Sequence, residues 1–366
     1  MTDGRRHMYR ALRLARRGRG RVSPNPEVGA VIVGRSGRVL AEGYHRAVGD
    51  PHAEVEALRA AGDSVRNAEM YVTLEPCSFG GRTPPCSESV ARAGIRKLHC
   101  AMEDPDSRVR GRGIAYLRGA GVEVEVGLCQ QEAEELNAAY IHHRRTGRPY
   151  VRLKLAQSLD ARIATHTGAS RWITGLEARR HVHRWRSWVD VVAVGAGTVS
   201  ADDPRLSVRD VRGRDPRPLV VDGRLRCSPT ARVFAGQRPI LVTTESSARQ
   251  RGTSFRDRGV EIWELPEVDK GQIDLGALLD HAGSRGITSL IVEGGPTLAT
   301  TLLTQGLVQE VMIYIAPKLI GEGVNAVANL GVDSPGDSVQ LIDVRTRRLG
   351  DDVLYTARVA TGPGRG

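Results

Sequence analysis

Short apolar runs alternate with segments of helical spacing along the first part of the chain. Two of these runs flank Arg35-Ser36-Gly37, a sequence typical of a β-hairpin turn. The predicted strands lie at 28–33, 39–43, 70–74, 97–101 and 122–126, and the predicted helices lie at 53–58, 86–93 and 111–119. Because the strands are joined through helices, we predict a largely parallel, layered α/β domain.

A second α/β pattern follows the polar segment 144–149, whose glycine and proline predict a linker. The predicted strands lie at 150–155, 189–194, 219–221, 240–242, 290–292 and 311–315, and the predicted helices lie near 177–187, 274–284 and 297–305. The tail 338–359 alternates like a pair of antiparallel strands. We find no internal repeat, so we predict two different domains, at residues 1–146 and 149–362.

The composition agrees with two ordinary domains. The chain has 366 residues, of which 40% are hydrophobic and only 4% aromatic, so Val, Leu, Ala and Ile must fill the cores. No stretch has the length and apolarity of a transmembrane helix or of a signal peptide. Five cysteines without paired spacing favour a reducing compartment. We therefore expect a cytoplasmic protein.

The net charge is +11, and nearly all of the basic residues are arginines. The densest basic cluster lies within residues 5–21, where Met8, Leu12 and Leu14 mark the buried side of a predicted helix. We interpret the arginines as the solvated face of that helix. A phosphate-bearing substrate can use a few arginines without any polymer being involved. We expect neither a nucleic-acid partner nor a membrane partner.

One group of residues has the composition of a metal centre. His52-Ala53-Glu54 begins a predicted helix, Pro76-Cys77 follows a predicted strand, and Cys86 begins the next helix. One imidazole and two thiolates leave one position of a zinc tetrahedron open for water, and Glu54 is a carboxylate that can move protons beside it. This set is similar to the signature of zinc-dependent base deaminases, although that signature has two residues between the cysteines and here 78–85 intervene.

A purely structural zinc is the alternative to a catalytic one. It would require a fourth protein ligand, and the nearest candidate, Cys100, lies inside a predicted strand. We therefore favour a catalytic zinc.

Two glycine-rich segments follow predicted strands in the second half. The run 195–200 has the form GxGxxS, and Asp202-Asp203-Pro204 is expected to break the chain instead of continuing a helix, so a standard dinucleotide fingerprint is disfavoured. The segment Glu293-Gly294-Gly295-Pro296-Thr297 runs from a strand into a helix. It is equally compatible with an anion site of free N–H groups and with a plain tight turn.

Longer motifs extend over nearly the whole chain, from about residue 7 to 359. In the first half they are Asn25-Pro26-Glu27-Val28-Gly29-Ala30, His52-Ala53-Glu54, Glu75-Pro76-Cys77, Gly81-Arg82-Thr83-Pro84-Pro85-Cys86 and Asp104-Pro105. In the second half they are Ser158-Leu159-Asp160, Trp172-Ile173-Thr174, Gly197-Thr198-Val199, Ala201-Asp202-Asp203-Pro204, Val292-Glu293-Gly294-Gly295 and Ala316-Pro317-Lys318-Leu319-Ile320-Gly321. With these motifs in this order, the chain resembles the bifunctional deaminase–reductase family of riboflavin biosynthesis.

The resemblance implies a cytidine-deaminase-like N-terminal domain, at 1–146, and a dihydrofolate-reductase-like C-terminal domain, at 149–362. It implies that the first domain uses Zn²⁺ to remove the 2-amino group of a phosphoribosylated diaminopyrimidinone. The second domain would then use NADPH to reduce the ribosyl group to ribityl. Reductases of this kind often pair through that domain, so we expect a homodimer.

The resemblance also implies roles for individual residues. Zinc would be bound by His52, Cys77 and Cys86, with Glu54 as the catalytic proton carrier. NADPH would contact Ala156, Trp172, Thr198, Asp202, Gly295, Pro296 and Thr297. Substrate would contact Asn25, His45, Lys154, Ser170, Arg186, Leu206, Arg209 and Glu293. The guanidinium groups of Arg186 and Arg209 suit a phosphate, which arginine binds bidentately. The proton donor for reduction is left open between Asp202 and Lys154.

Two positions depart from the family pattern. Phe79 stands where the family usually has histidine, followed by Gly80 where a bulky residue is common, which would alter substrate recognition or slow deamination. Ala161 stands where glycine is usual after Asp160. That alanine is either tolerated at the family's backbone conformation or indicates a negative φ.

These departures leave other functions open. The main alternative is a paralogue that carries out both chemistries on a related pyrimidine in specialised metabolism. An inactive deaminase joined to an active reductase is disfavoured by the complete ligand set with Glu54. A nucleic-acid base deaminase, suggested by the charge, leaves the whole second domain unexplained.

Overall fold

The computed structural model describes residues 3–79 and 84–360, without the side chains of residues 63 and 64. The described residues divide into two compact units, with the division between Gly147 and Arg148. Within these residues no helix is long and apolar enough to cross a membrane.

The first unit contains a five-stranded sheet and six α-helices among its described residues. The elements are α1 (Asp3–Ala15), β1 (Gly29–Val33), β2 (Val39–Tyr44), α2 (Ala53–Ala61), β3 (Glu69–Val72), α3 (Cys86–Arg92), β4 (Lys97–Cys100), α4 (Arg112–Gly119), β5 (Glu123–Val126), α5 (Gln130–Leu136) and α6 (Ala138–Thr146). Helix α1 buries Met8, Leu12 and Leu14, as its spacing predicts, and all residues of β1 are buried. The predicted hairpin is confirmed as the antiparallel pair β1–β2.

The strand order of this sheet is β2-β1-β3-β4-β5. The predicted largely parallel arrangement holds for four strands, since β2, β3, β4 and β5 run in the same direction, whereas β1 is antiparallel to both of its neighbours. Apolar runs of similar length give no information about strand direction, which explains why the antiparallel β1–β3 pair was not predicted. Since β3 is followed by the Pro76-Cys77 segment, the predicted metal ligand Cys77 lies beyond the carboxyl end of this strand.

The predicted linker at 144–149 is also wrong in part. Residues 144–146 form the last turn of α6, and only three residues separate this helix from the next strand. Arg144 lies 5.1 Å from the Tyr140 ring centre and 3.6 Å from Asp106, so the basic residues belong to a packed helix. Gly147 ends the helix with φ of 75°, a conformation that glycine adopts without strain.

The second unit contains a nine-stranded sheet flanked by helices. Its elements are β6 (Tyr150–Ser158), β7 (Arg162–Thr165), α7 (Leu176–Arg186), β8 (Val191–Gly195), α8 (Ala196–Asp202), β9 (Arg217–Val221), β10 (Ile240–Thr243), α9 (Glu245–Arg251), α10 (Thr253–Arg256), β11 (Glu261–Glu264), β12 (Glu267–Asp269), β13 (Gln272–Ile273), α11 (Leu275–Ser284), β14 (Ser289–Val292), α12 (Pro296–Thr304), β15 (Glu310–Ala316), β16 (Gly323–Asn325), β17 (Leu341–Leu349) and β18 (Asp352–Val359). Short antiparallel pairs form between β12 and β13 and between β7 and β16.

The order of the large sheet is β11-β10-β9-β8-β14-β6-β15-β18-β17. The strands from β11 to β15 are parallel, and β18 and β17 add to the sheet in antiparallel orientation, as the alternation in the tail predicts. The central strands β8, β14, β6 and β15 therefore end at one edge. In parallel α/β sheets that edge is where ligands bind.

The segment after Gly195 does not form the predicted loop. Residues 196–202 form helix α8, with Ala196 and Val199 buried, and the helix ends where Asp203 adopts φ of 40° before Pro204. The chain therefore breaks at Asp202-Asp203-Pro204 as predicted, but a short helix that we did not predict precedes the break, because burial of two small apolar residues stabilises it.

Gly43 provides a test of how closely β2 packs on α2. A Cβ atom at this position would lie 2.2 Å from the Ala53 carbonyl oxygen and 2.5 Å from the Ala57 nitrogen. Since both atoms belong to the backbone, the helix would have to shift. We predict that Gly43→Ala lowers the free energy of unfolding of this unit by about 1–3 kcal/mol in denaturant titrations.

The matched control is Gly119→Ala at the end of α4, where an added Cβ meets nothing within 4 Å. It should leave stability nearly unchanged. Equal destabilisation by the two substitutions would contradict the close packing of α2.

Candidate active sites

Three separate segments place the predicted zinc ligands together. His52 is the residue before the first turn of α2, Cys77 lies in the loop after β3, and Cys86 is the first residue of α3. His52 Nδ1 lies 3.3 Å from Cys86 Sγ and 3.7 Å from Cys77 Sγ, and all three ligand atoms lie within 4.8 Å of one another. A zinc tetrahedron with ordinary bond lengths has edges of about 3.5–3.8 Å, so the set fits this ion.

The electrostatics of the cluster also suit a cation. Hydrogen bonds from the Cys86 thiol and from His52 lower the pKa of Cys77 to about 4, against the effect of burial. The hydrogen bond to Cys77 raises the pKa of His52 to about 9. The backbone N–H of Cys86 donates to Cys77 Sγ at 3.4 Å. Negative charge therefore collects on the sulfur that a metal requires as thiolate.

Glu54 lies in the first turn of α2 and is buried. Burial raises the pKa of its carboxyl to about 7, although the nearby His52 opposes that rise. A carboxyl group that titrates near neutrality can both give and take a proton, which general acid–base catalysis requires.

Asn25 and His45 lie beside the metal-binding histidine. Asn25 Nδ2 is 3.2 Å from His45 Nε2, and His45 Nδ1 is 3.2 Å from the Pro51 carbonyl oxygen. Burial lowers the pKa of His45, which favours the neutral ring. The ring centres of His45 and His52 are 5.4 Å apart. The structure thus brings together the five residues predicted for metal and substrate on this side, three ligands and two substrate contacts.

Phe79 follows Cys77 at the described end of the loop. Its side chain is 46% exposed, and the guanidinium of Arg108 lies 5.5 Å from the ring centre. Arg108 in turn binds Asp106 at 2.6 Å. Gly80, the second unusual residue of this loop, lies outside the described residues.

Sequence reasoning missed Glu75. It appears in the Glu75-Pro76-Cys77 motif, but we assigned it no role. Its carboxylate is buried and accepts hydrogen bonds from backbone N–H groups of the segment 104–114. A charged residue directly between a buried strand and a Pro-Cys ligand is the signal that should have indicated it.

In the second unit a largely buried ion cluster lies at the carboxyl edge of the sheet. Glu293 directly follows β14 and binds Arg186 through two hydrogen bonds, from Nε at 2.6 Å and from Nη2 at 2.9 Å. Lys154 Nζ on β6 lies 3.7 Å from Glu293 Oε2. Arg186 Nη1 donates to the Ser207 carbonyl oxygen at 3.0 Å. The bidentate face of Arg186 therefore holds Glu293, and not a phosphate as we expected from its residue type.

The charges of this cluster depend on one another. Burial alone would raise the pKa of Glu293, but Arg186 and Lys154 lower it to about 2. Burial lowers the pKa of Lys154, although Glu293 opposes the change. The carboxylate is therefore held ionised, and the ammonium releases its proton more easily than an exposed lysine does.

The predicted NADPH positions surround the starts of α8 and α12. Gly295 precedes α12, with Pro296 at its first position and Thr297 next, and a Cβ on Gly295 would lie 3.4 Å from Thr198 Oγ1. Asp202, at the end of α8, accepts a hydrogen bond from Ser170 Oγ at 2.9 Å. The first turn of α12 has no side-chain cap, so its N–H groups remain available to an anion.

Ala156 and Trp172 lie on two other segments of this unit. Ala156 on β6 pairs with Tyr314 on β15. Trp172 is 62% exposed, the Arg179 guanidinium lies 4.4 Å from its ring centre, and Lys318 Nζ donates to its carbonyl oxygen at 2.8 Å.

Two predicted substrate positions differ in what they can offer. Leu206 is buried in the core and has φ of 56°, so only its backbone can face a ligand. Arg209 donates its N–H to His183 Nδ1 at 3.3 Å, and its Nη1 lies 3.4 Å from Ser207 Oγ. Burial and the neighbouring Arg186 lower the pKa of the Arg209 guanidinium, because both disfavour its positive charge. A bound anion would offset this unfavourable interaction.

Ala161 adopts φ of 63°. Of the two alternatives at this position, the left-handed backbone conformation is therefore kept and an alanine occupies it.

Comparison with known proteins agrees with these two sites. Residues 1–102 match the model of the cytidine and deoxycytidylate deaminase zinc-binding region, and residues 149–355 match the RibD C-terminal domain. The riboflavin biosynthesis protein RibD of Escherichia coli K12 is 42% identical over 363 residues, covering 95% of this chain and 97% of that protein. The chain belongs to the RibD family.

The chain is also similar to other RibD proteins. RibD of Aquifex aeolicus is 38% identical over 95% of this chain and 96% of its own length. The solved structure of Acinetobacter baumannii RibD is 36% identical, with a TM-score of 0.88 over 98% of this chain and 99% of that one. A Thermotoga maritima structure, described as a diaminohydroxyphosphoribosylaminopyrimidine deaminase/5-amino-6-(5-phosphoribosylamino)uracil reductase, is 32% identical, with a TM-score of 0.86 over 98% and 99% of the two chains.

Family membership confirms the predicted fold classes, a cytidine-deaminase-like first half and a dihydrofolate-reductase-like second half. Like other RibD proteins, the chain is a bifunctional enzyme with a zinc-binding deaminase domain and an NADPH-dependent reductase domain.

The ligand geometry makes a direct prediction about zinc. Cys77→Ala removes one of three ligands and should reduce bound zinc from about one ion per chain to almost none, as measured by atomic absorption after dialysis. The matched control is Cys100→Ala, since Cys100 is buried in β4 and its Sγ donates to the Met102 carbonyl oxygen. Zinc retained by Cys77→Ala, or lost equally by Cys100→Ala, would contradict the ligand set.

Proposed function

We propose that residues 1–146 hydrolyse the 2-amino group from a phosphoribosylated diaminopyrimidinone and that residues 149–362 reduce the ribosyl group of the product to ribityl with NADPH. The observation that carries this proposal is the His52, Cys77 and Cys86 cluster beside Glu54, in a chain that matches RibD proteins along almost its entire length. The substrates are those in the description of the Thermotoga maritima relative.

For the deaminase we propose that His52, Cys77 and Cys86 hold zinc, which when bound acidifies a water molecule. Glu54 takes the proton of that water and returns protons to the ring and to the departing amine. Its pKa of about 7 supports this role, because the carboxyl group can be protonated and deprotonated in each turnover.

The pyrimidine itself is proposed to contact Asn25 and His45. The neutral His45 ring, fixed by the Pro51 carbonyl oxygen and by Asn25, presents a defined hydrogen-bonding edge next to the metal ligands.

For the reductase we propose that NADPH lies at the uncapped start of α12 and supplies the hydride. The proposed cofactor contacts are Ala156, Trp172, Thr198, Asp202, Gly295, Pro296 and Thr297. The N–H groups of the first turn of α12 would bind a phosphate of the cofactor.

The phosphoribosyl group of the substrate is proposed to contact Ser170, Leu206 and Arg209, with the Arg186–Glu293 pair on the side of the sugar. Glu293 is held ionised and can accept hydrogen bonds from sugar hydroxyl groups. Between the two candidates for proton donor we propose Lys154, because burial lowers its pKa, whereas Asp202 is engaged by Ser170.

A paralogue that acts on a related pyrimidine is the second candidate. The observation that favours it is Phe79, where the family usually has histidine, half exposed and stacked under Arg108. The riboflavin precursor itself distinguishes the two candidates, because a paralogue would neither release ammonia from it nor oxidise NADPH with it.

We predict that the two activities can be removed one at a time. With the riboflavin precursor, Glu54→Gln should lower ammonia release by about 100-fold or more and keep bound zinc, since Glu54 is not a ligand. Lys154→Met should lower NADPH oxidation on the deaminated substrate by a similar factor, because it removes the proposed proton donor.

Each variant is the control for the other, measured on the same purified sample. Ammonia release should survive in Lys154→Met, and NADPH oxidation should survive in Glu54→Gln. Persistent deamination by Glu54→Gln would refute its proton role, and a wild-type enzyme inactive in both assays would refute the riboflavin assignment.

We also propose a cytoplasmic location and a homodimer formed through the second unit. The five cysteines of the chain are free thiols, which supports a reducing compartment. Strand β17 is the edge of the nine-stranded sheet, and Ile342 and Val344 on it are exposed. An exposed edge strand with apolar residues favours pairing with another chain.

The dimer proposal predicts that Ile342→Lys combined with Val344→Lys gives a monomer in light scattering after gel filtration, since two charges would be buried in the interface. The control is Val268→Lys, an exposed apolar position outside the large sheet, on β12. A double variant that keeps the wild-type mass would exclude this edge as the interface.

A further inference from the structure

The buried carboxylate of Glu75 binds four backbone N–H groups of a neighbouring segment. Its Oε2 accepts from Asp104 at 3.1 Å and from Gly111 at 3.0 Å. Its Oε1 accepts from Gly113 at 2.9 Å and from Ile114 at 3.2 Å. Both oxygens are therefore fully used as acceptors, and the side chain is only 3% exposed. A carboxylate is buried at low cost only when hydrogen bonds of this kind replace its water.

Two of these donors belong to the first turn of α4. The residue before this helix, Gly111, has no side chain with which to cap it. Glu75 replaces the missing cap from a distant part of the chain. Its negative charge also lies at the positive end of the helix dipole, which adds a favourable interaction.

The contact continues into the metal-binding loop. A Cβ atom on Gly113 would lie 2.0 Å from the Pro76 carbonyl oxygen, so the peptide group that joins Pro76 to Cys77 rests directly on the backbone of α4. From there Cys77 reaches α3, because its carbonyl oxygen accepts from the Ser87 N–H at 3.1 Å. The contact between the Pro76 carbonyl group and the backbone of α4 therefore determines where the Cys77 sulfur lies.

The segment that supplies the other two donors is itself fixed. Asp104 Oδ1 accepts from Tyr140 Oη at 2.9 Å and from the Asp106 N–H at 2.9 Å. The Glu75 N–H donates to the Met102 carbonyl oxygen at 3.0 Å. Glu75 therefore joins three elements, the end of β3, the start of α4 and the 102–111 loop, which is held by α6.

We propose that Glu75 is a positioning residue for the deaminase metal centre: it clamps the end of β3 to the start of α4 and so fixes the Cys77 ligand relative to His52 and Cys86. The inference rests on the proposed zinc deaminase function of the first unit. Glu75 itself touches neither metal nor substrate in this role.

The test is Glu75→Gln in the full chain. Glutamine keeps the size but offers one acceptor oxygen and turns an NH₂ group toward backbone donors, so part of the clamp is lost. We expect zinc release to a chelator to become about 10- to 100-fold faster and ammonia release to fall by a similar factor. NADPH oxidation by the same chain should stay at the wild-type rate.

Replacing zinc by Co²⁺ distinguishes a change in ligand geometry from a general loss of stability. With Co²⁺ in place of zinc, the thiolate-to-cobalt absorption band reports the geometry of Cys77 and Cys86 around the metal. The band should shift or weaken in Glu75→Gln. Gly113→Ala, which displaces Pro76 from the other side of the same contact, should change the band in the same way.

The matched control is Glu103→Gln, an exposed carboxylate in the same loop, 3.9 Å from Arg110. It should leave zinc release, ammonia release and the cobalt band unchanged. Wild-type zinc release and an unchanged band in Glu75→Gln would overturn the proposal. So would unfolding of the first unit, seen by circular dichroism, with an unchanged band in the molecules that remain folded.

The outcome is also distinct from a failure of the proposed function. If the wild-type enzyme released no ammonia from the riboflavin precursor, the substrate assignment would fall. Faster zinc release and an altered cobalt band in Glu75→Gln would still support the clamp.

Discussion

Direct contact between backbones, without side chains between them, is the constraint on which the first unit depends. Gly29 lies against the Ala11 carbonyl oxygen of α1, Gly43 against α2, and Gly113 against Pro76. At each of these positions a single methyl group would push the two backbones apart. Helix α2 can bring His52 and Glu54 close to the sheet, and the Cys77 loop can reach them, only because these surfaces meet at glycine. The geometry of the metal centre therefore depends on how the helices and the Cys77 loop pack at these glycines.

The second unit relies on a different constraint, the mutual compensation of buried charges. Glu293, Arg186 and Lys154 lie together near the carboxyl end of β14, and each is largely withdrawn from water at a cost that the others offset. Such a cluster adds little to stability compared with apolar residues of equal volume, so its presence at the ligand edge is explained by function. It gives the sheet a fixed anion and a labile proton in one place.

Much of this could be predicted from the sequence, because residue type and local spacing determine it. The hairpin and the strand-to-helix turn at Gly295 depend on neighbours within about ten residues, and each zinc ligand is recognised by its own short motif, although 25 and 34 positions separate His52 from the two cysteines. Apart from the helices at 144–146 and 196–202, the errors concern longer distances. Strand direction around β1 follows from the order of strands in the sheet, the partner of Arg186 lies 107 positions away, and the partners of Glu75 lie about 30–40 positions away. No local pattern carries that information.

Trp172 has a consequence for how the second unit can be observed. Of the four tryptophans in the chain, Trp263 is buried, Trp185 and Trp188 stack edge to face at 5.2 Å, and Trp172 alone is largely exposed. Because its indole is exposed, we expect it to fluoresce at longer wavelength than the buried Trp263. With NADPH bound at the proposed position, energy transfer to the reduced nicotinamide would then make Trp172 an optical reporter of cofactor occupancy that needs no label.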